Sequence, residues 1–236
     1  MRDFLRGNIG DDQLDAVFCL DAFHYIRGKW ALGRELDRVV RDQGVWIRPH
    51  LHNAAVPNIS PGIPLRPADY LRMLDFTDPV LLDESSVLEQ FMTDHVLDLT
   101  RRSSASDLAG VANLTMYATR RKDAARRFDV GELMLRASQA AALGPNPIYD
   151  VETDSDSLRL VARWPSGDLA RECAAMHPYL PEAVEIDRSL LDRLGRRGPH
   201  EEHDLAQVAP LIESLVLIAL PPGYRDRPFG SAHRSA

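Results

Sequence analysis

Residues 14–20 form a short apolar run that only Asp15 interrupts. A short run of β-forming residues is typical of a strand covered on both faces, as in a parallel sheet. In residues 29–40 the apolar positions recur at the spacing of a helix with one buried face, and Gly44 supplies a stop. Residues 45–51 return to an extended, apolar pattern. The order strand, helix, strand predicts a βαβ unit with two parallel strands.

The remainder of the chain predicts further short helices and strands. Ser166 is well suited to cap a helix, and residues 199–204 have the composition of a charged loop. Residues 211–220 are apolar enough for a buried strand or a buried helix, and periodicity does not separate the two. We expect helices at residues 68–74, 84–92, 128–143, 166–176 and 181–194, and strands at residues 95–99, 114–119 and 158–164.

A break in the pattern at residues 144–150, GPNPIYD, indicates a boundary. We expect a first domain at residues 1–122 and a connecting helix at residues 123–144. The last part, residues 145–236, is expected to be an accessory α+β region that takes part in substrate selection.

The composition is that of an ordinary globular protein. The chain has 236 residues, of which 44% are hydrophobic and 27% charged, and its formal net charge is -7. This charge favours a small-molecule or protein partner over nucleic acid or an anionic membrane surface. Two cysteines, Cys19 and Cys173, are too few for a disulfide framework, so we expect reduced thiols. With no signal peptide and no apolar run of transmembrane length, we expect a cytoplasmic protein.

Polar side chains follow each of the two strands of the predicted βαβ unit. Ligands of open parallel sheets bind outside the carboxyl ends of the strands, where such side chains meet. Histidine titrates near neutrality, so these positions suit general acid–base chemistry. Asp21, His24 and Tyr25 follow the first strand, and His50, His52 and Asn53 follow the second.

A second interpretation concerns metal binding. His50 and His52 are two positions apart, so in a strand both point to one side, as a metal pair would. Further ligands at a defined spacing are not visible in the sequence. A metal-dependent hydrolase is therefore a less favoured alternative, and no metal is assigned in the preferred interpretation.

Residues 14–47, LDAVFCLDAFHYIRGKWALGRELDRVVRDQGVWI, contain a series of short motifs in a fixed order. They resemble the second half of the S-adenosylmethionine-dependent methyltransferases of the seven-stranded Rossmann-like class. In that class a strand F-D-x-V-x-x-x-D-x-x-H-h precedes a helix with an acidic-x-x-R-V-L pattern, a turn R-P-G-G and the next strand. The matching pieces are Leu14-Asp15-Ala16-Val17, Asp21, His24, Glu35, Arg38-Val39-Val40, Arg41-Asp42-Gln43-Gly44 and Val45-Trp46-Ile47. The turn has Asp42-Gln43 where the class usually has Pro-Gly.

The resemblance implies an α/β fold: a partial Rossmann-like methyltransferase sheet, strands four to seven, followed by the α+β extension. It implies S-adenosylmethionine as cofactor, with Asp21, Ala22 and Phe23 beside it. His24 would be the general base that takes a proton from the substrate as the substrate attacks the methyl group. Tyr25, His52 and Asn53 would lie on the side of a small-molecule substrate.

The Gly-rich turn that receives the cofactor in this class is absent from the sequence, and so are the strands that precede it. We therefore expect a truncated methyltransferase, a half-site completed by another chain, or a degenerate relative kept for binding. A non-catalytic binding or assembly protein is accordingly the alternative function. Without those strands, residues 14–20 would lie partly unpaired at the edge of a sheet and would promote self-association.

Overall fold

The computed structural model describes residues 8–60, 62–74, 77–139, 141–153, 157–197, 199 and 202–219. The fold is mixed α/β with several sheets. The chain divides into two compact units, residues 1–90 with 97–128, and residues 91–96 with 129–236. The predicted connecting segment, residues 123–144, thus contributes its helix to the second unit.

The first unit opens with the predicted βαβ arrangement. Strand β1 (Leu14–Phe18), helix α1 (Lys29–Val39) and strand β2 (Val40–His52) follow one another, and β1 pairs parallel with β2. Helix α1 forms because its apolar residues share one face, and Leu32 and Leu36 on that face are buried. Residues 40–44 continue β2 directly from the helix, so the predicted stop at Gly44 lies inside the strand.

Two further strands complete the sheet of the first unit. They are β3 (Val80–Asp83) and β5 (Asn113–Thr119), and the strand order is β1-β2-β5-β3. Strand β5 runs antiparallel to both β2 and β3. The prediction of a strand at 114–119 is confirmed, whereas β3 was not predicted. The predicted helices at 68–74 and 84–92 are confirmed as α2 (Pro67–Met73) and α3 (Glu84–Asp94).

Strand β1 lies at the edge of this sheet. Among the described residues it pairs with β2 alone. Phe18 and Leu20 are 61% and 67% exposed, so the prediction that both faces of this run are covered is wrong. The expectation of a partly unpaired, apolar edge is confirmed.

The core of the first unit lies on both faces of the sheet. Trp46, Leu51 and Met116 are buried on one face together with residues of α1 and α2. Tyr117 and Leu82 are buried on the other face. The carboxyl ends of β1 and β2, which carry the predicted site, lie at one end of this core.

The second unit is built from short strands and helices. Strands β8 (Tyr149–Thr153), β9 (Ser157–Ala162) and β10 (Ala183–Asp187) form an antiparallel sheet, and β7 (Leu143–Pro145) pairs with β11 (Leu217–Ala219). Its helices are α4 (Gly131–Gln139), α5 (Gly167–Glu172), α6 (Arg188–Arg197) and α7 (Glu202–Glu213), with a 3-10 helix at Ala174–Tyr179. Strands β4 (Val96–Asp98) and β6 (Arg127–Asp129) pair with each other.

Several predictions for the later part of the chain need correction. The helix predicted at 181–194 is wrong in its first half, where residues 183–187 alternate as a strand. Asp187 then starts α6, because its Oδ1 accepts the amide of Leu190 at 2.8 Å. The helix predicted at 128–143 is shorter, and the charged loop predicted at 199–204 overlaps the start of α7. The segment 211–220 contains the end of a helix and a strand.

Other predictions for this part are confirmed. The strand predicted at 158–164 corresponds to β9, and Ser166 caps α5 by accepting the amide of Leu169 at 3.1 Å. Cys19 and Cys173 are both thiols and form no disulfide with each other. No helix in the described ranges is both long and apolar enough to cross a membrane.

Candidate functional site

The structure brings together four of the predicted polar residues at the carboxyl ends of β1 and β2. Asp21 and His24 follow β1, and His50 and His52 close β2; we call these four residues the histidine cluster. The Oδ1 atom of Asp21 lies 4.0 Å from Nε2 of His24 and 4.0 Å from Nε2 of His50. The convergence is the one expected for neighbouring parallel strands.

The rings of His24 and His52 stack on each other inside the first unit. Their centroids are 3.7 Å apart, and both residues are fully buried. Among the described residues neither nitrogen of His24 has a hydrogen-bond partner. Burial, and then the charge that His52 would carry, lower the pKa of His24 below its usual value. His24 is therefore held as a neutral imidazole at neutral pH.

His50 is fixed by a carboxylate from another part of the unit. A bulge between Arg48 and Leu51 interrupts the pairing of β2 with β5, and it leaves His50 in the left-handed region with φ 54°. The main-chain amide of His50 donates to Oε1 of Glu84 at 3.0 Å, and Nδ1 lies 2.8 Å from Oε2. Since a carboxylate accepts, Nδ1 carries a proton in this contact, and the opposite nitrogen, Nε2, is turned towards Asp21.

A loop between β2 and α2 covers His24. The amide of Ile63 donates to the carbonyl of His24 at 2.7 Å, and the hydroxyl groups of Tyr25 and Ser60 are in hydrogen-bond contact. Gly62 has φ 55°, and a Cβ placed there would come within 2.9 Å of Cδ2 of His24. Glycine is therefore required at this position both by the backbone and by the close approach to the imidazole.

Asn53 lies beside the cluster but its amide is used by the backbone. Its Nδ2 lies within 3.1 Å of the carbonyl oxygens of Leu108, Ala109 and Val111, and its Oδ1 accepts the amide of Ala55 at 2.9 Å. The side chain is 1% exposed. These contacts indicate that Asn53 ties two loops together.

The other residues that the resemblance places at the site differ in exposure. Asp21, Ala22 and Tyr25 are exposed. Phe23 is buried in the core, where the guanidinium carbon of Arg48 lies 4.4 Å from the centre of its ring. The side chain of Phe23 therefore contributes to packing of the core.

Sequence reasoning missed two residues of this region, Glu84 and Arg48. Glu84 reaches His50 from the start of α3, 34 positions away, and no local pattern marks that contact. Arg48 is 1% exposed, and its guanidinium nitrogens have no hydrogen-bond partner among the described residues. Burial lowers the pKa of Arg48 to about 10. The alternation of Trp46 and Arg48 along β2 is a signal that could have placed Arg48 on the buried face.

Comparisons with known proteins find weak structural matches only. Neither a scan against models of protein families nor a search of curated proteins finds a match. A candidate type 11 methyltransferase from Sulfolobus solfataricus matches with 16% identity and a TM-score of 0.29, over 50% of this chain and 56% of that one. The YcgJ protein from Bacillus subtilis matches with 14% identity and a TM-score of 0.28, over 48% of this chain and 67% of that one. This chain thus spans little more than half of the Sulfolobus protein, and TM-scores of this size do not define a shared fold.

Proposed function

We propose that the first unit carries the substrate-side half of an S-adenosylmethionine-dependent methyltransferase site for a small molecule. One observation carries the proposal. The motif residues Asp21 and His24 lie at the carboxyl end of β1, and His50 and His52 meet them from the end of the parallel neighbour β2. This is the place in an α/β sheet at which substrates and nucleotide cofactors bind.

The topology of the sheet supports the same proposal. Its order is β1-β2-β5-β3, in which β1 and β2 are parallel and β5 is antiparallel to both of its neighbours. The parallel crossover from β1 through α1 to β2 is compatible with the connection that the motif resemblance implies between strands four and five.

The described residues fit one wall of a cofactor site. Asp21 and Ala22 are exposed and accessible to a ligand, whereas the side chains of Phe23 and His24 are packed inside the unit. No Gly-rich turn is present that would receive the amino-acid part of S-adenosylmethionine. These residues alone do not enclose a molecule of that size, so the proposal requires a second wall that the described residues do not supply.

A proton-accepting role for His24 sets a structural condition. A general base must come within hydrogen-bond reach of the proton it removes. Gly62 and Ile63 lie against His24 and its carbonyl, so substrate would reach the imidazole only when this loop moves. In the structure, the carbonyl of His24 holds the loop at Ile63, and the ring of His24 packs against that of His52.

The test is a calorimetric titration of the full 236-residue chain with S-adenosylhomocysteine, over a range of protein concentrations. We expect micromolar binding that strengthens as copies associate. Ala22→Trp should abolish it, because the new side chain fills the exposed wall. The matched control is Ala206→Trp, at an exposed alanine of α7 in the second unit. A folded chain that binds no S-adenosylhomocysteine at any concentration would overturn the proposal.

One observation favours a second candidate function, a non-catalytic binding or assembly protein. Phe18 of the edge strand β1 and Leu20 just after it are exposed, while Phe23 and His24 are buried. An apolar free edge is a surface for pairing with another chain. Concentration-dependent association without cofactor binding in the same titration would support this candidate.

A further inference from the structure

We propose that Asp21, His50 and His52 form a binding site for Zn²⁺ or a similar first-row divalent metal. One ligand atom from each of the three residues lies within 4.8 Å of the others. Tetrahedral zinc sites with metal–ligand bonds of about 2.0–2.1 Å place their ligand atoms about 3.3–3.5 Å apart. The observed group is wider than that, and side-chain rotations that move each ligand atom by about 1 Å would close it.

The orientation of His50 supplies the second observation. Its Nδ1 donates to Oε2 of Glu84 at 2.8 Å, which fixes the tautomer and turns Nε2 towards Asp21. A carboxylate that holds the far nitrogen of a histidine is the usual outer contact of a protein-bound metal, because it orients the ring and raises its basicity. The same carboxylate also accepts the main-chain amide of His50, so Glu84 holds both the ring and the backbone.

The two strand ends give the ligands unequal mobility. His52 is fully buried under the ring of His24, and His50 is half-buried. Asp21 is exposed and lies on the loop that follows β1, so it is the ligand free to move towards an incoming ion. The two imidazoles at the end of β2 are thus held in place, and the carboxylate after β1 faces the solvent. This arrangement suits an ion that enters from the solvent side.

The donor set selects the class of metal. Two imidazole nitrogens and one carboxylate oxygen suit Zn²⁺, Fe²⁺ or Co²⁺, whereas Mg²⁺ and Ca²⁺ prefer oxygen ligands alone. Three protein ligands leave a position open for water or for an oxygen of a bound molecule. The charges of Asp21 and Glu84 would balance the charge of a divalent ion. The site stands on these residues and does not depend on the methyltransferase proposal.

The experiment is a calorimetric titration of the metal-free full chain with Zn²⁺, repeated with Co²⁺ while its visible absorption is recorded. We expect one equivalent to bind, with a Co²⁺ spectrum of low coordination number. His50→Asn and Asp21→Asn should each weaken binding by about 100-fold, and Glu84→Gln by about 10-fold. Asparagine tolerates the left-handed backbone that Asp21 and His50 both adopt, so these variants retain the fold.

The matched control is His95→Asn, because His95 has the same backbone conformation and also lies near a carboxylate, that of Glu213 at 3.9 Å, but outside the cluster. Circular dichroism and thermal unfolding of each metal-free variant verify that it folds. Zinc binding that His50→Asn and Asp21→Asn leave unchanged would overturn the proposal, as would a Mg²⁺ affinity equal to that for Zn²⁺. Absence of stoichiometric binding by the folded wild-type chain would do the same.

Discussion

The imidazole of His24 lies flat on that of His52, with 3.7 Å between ring centroids and 14° between ring planes. His24 lies in the segment that follows β1, and His52 is the last residue of β2. The stack therefore joins the carboxyl ends of these two parallel strands. Two cationic rings at this distance would repel each other. The contact is therefore stable when at least one imidazole is neutral, which agrees with the lowered pKa of His24.

The stack predicts effects of different size on stability for two substitutions of His24. His24→Ala removes a fully buried ring and should lower the free energy of unfolding by about 2–4 kcal/mol. His24→Phe keeps the ring and removes nitrogens that lack hydrogen-bond partners among the described residues, so it should change stability by less than about 1 kcal/mol. Urea denaturation in the presence of a chelator measures both. Equal destabilisation by the two variants would contradict a packing role for the ring.

The lowered pKa of His24 predicts how stability depends on pH. The unfolded chain binds a proton at His24 near pH 6.5, whereas the folded protein binds it only at lower pH. The free energy of unfolding contributed by this group is complete above about pH 6.5 and is lost as the pH falls from there towards the folded pKa. Denaturation of metal-free protein between pH 8 and pH 5 should show this fall, and His24→Phe should make it shallower. An unchanged slope in His24→Phe would show that another group titrates.

We expect a substitution of the buried residue Asn53 to have a large effect on the stability of the fold. Asn53→Ala leaves three loop carbonyls and the amide of Ala55 without this partner, so we expect a loss of about 2–3 kcal/mol in stability. Hydrogen exchange should rise in the loop at residues 108–111. Asn58→Ala is the control, because Asn58 makes two such bonds in a half-exposed position and should cost about 1 kcal/mol. A smaller loss for Asn53→Ala than for the control would argue against this role.

We expect the substitution of Arg48 by an apolar residue to stabilise the protein. Its guanidinium is buried against Phe23 and Trp46 and has no hydrogen-bond partner among the described residues. Replacing such a buried charge with an apolar side chain of similar length is often favourable, so Arg48→Met should raise the free energy of unfolding by about 1–3 kcal/mol. Arg41→Met, in the exposed part of the same strand, should change it by less than about 1 kcal/mol. A strongly destabilised Arg48→Met would mean that the guanidinium stabilises the fold through a contact of its own.

Periodicity predicted the parts of the fold that depend on local pattern. The βαβ unit and the meeting of Asp21 with His50 follow from an apolar period and from the rule that ligands bind at the carboxyl ends of parallel strands. The contact of His50 with Glu84 depends on where α3 begins relative to β2, which no local pattern encodes. Strand β10 was predicted as part of a helix at residues 181–194, yet alternation over residues 183–187 and the cap at Asp187 decide the structure.

Strand β1 predicts self-association of the chain. Phe18 and Leu20 are 61% and 67% exposed on an edge that pairs, among the described residues, only with β2. An apolar edge exposes unpaired backbone groups and buries its side chains when another strand is added, so the mass of the protein should rise with concentration.

The double variant Phe18→Lys with Leu20→Lys should remain a single chain over the same concentration range, because charged edge residues oppose pairing. Sedimentation velocity measures the mass of each protein, and Leu133→Lys is the control, since Leu133 is 64% exposed on a helix of the second unit. If association persists in the double variant and is lost in Leu133→Lys, the contact lies on the second unit. If the wild-type chain stays single at every concentration, the exposed edge does not drive association, and a second copy does not complete the half-site proposed for S-adenosylmethionine.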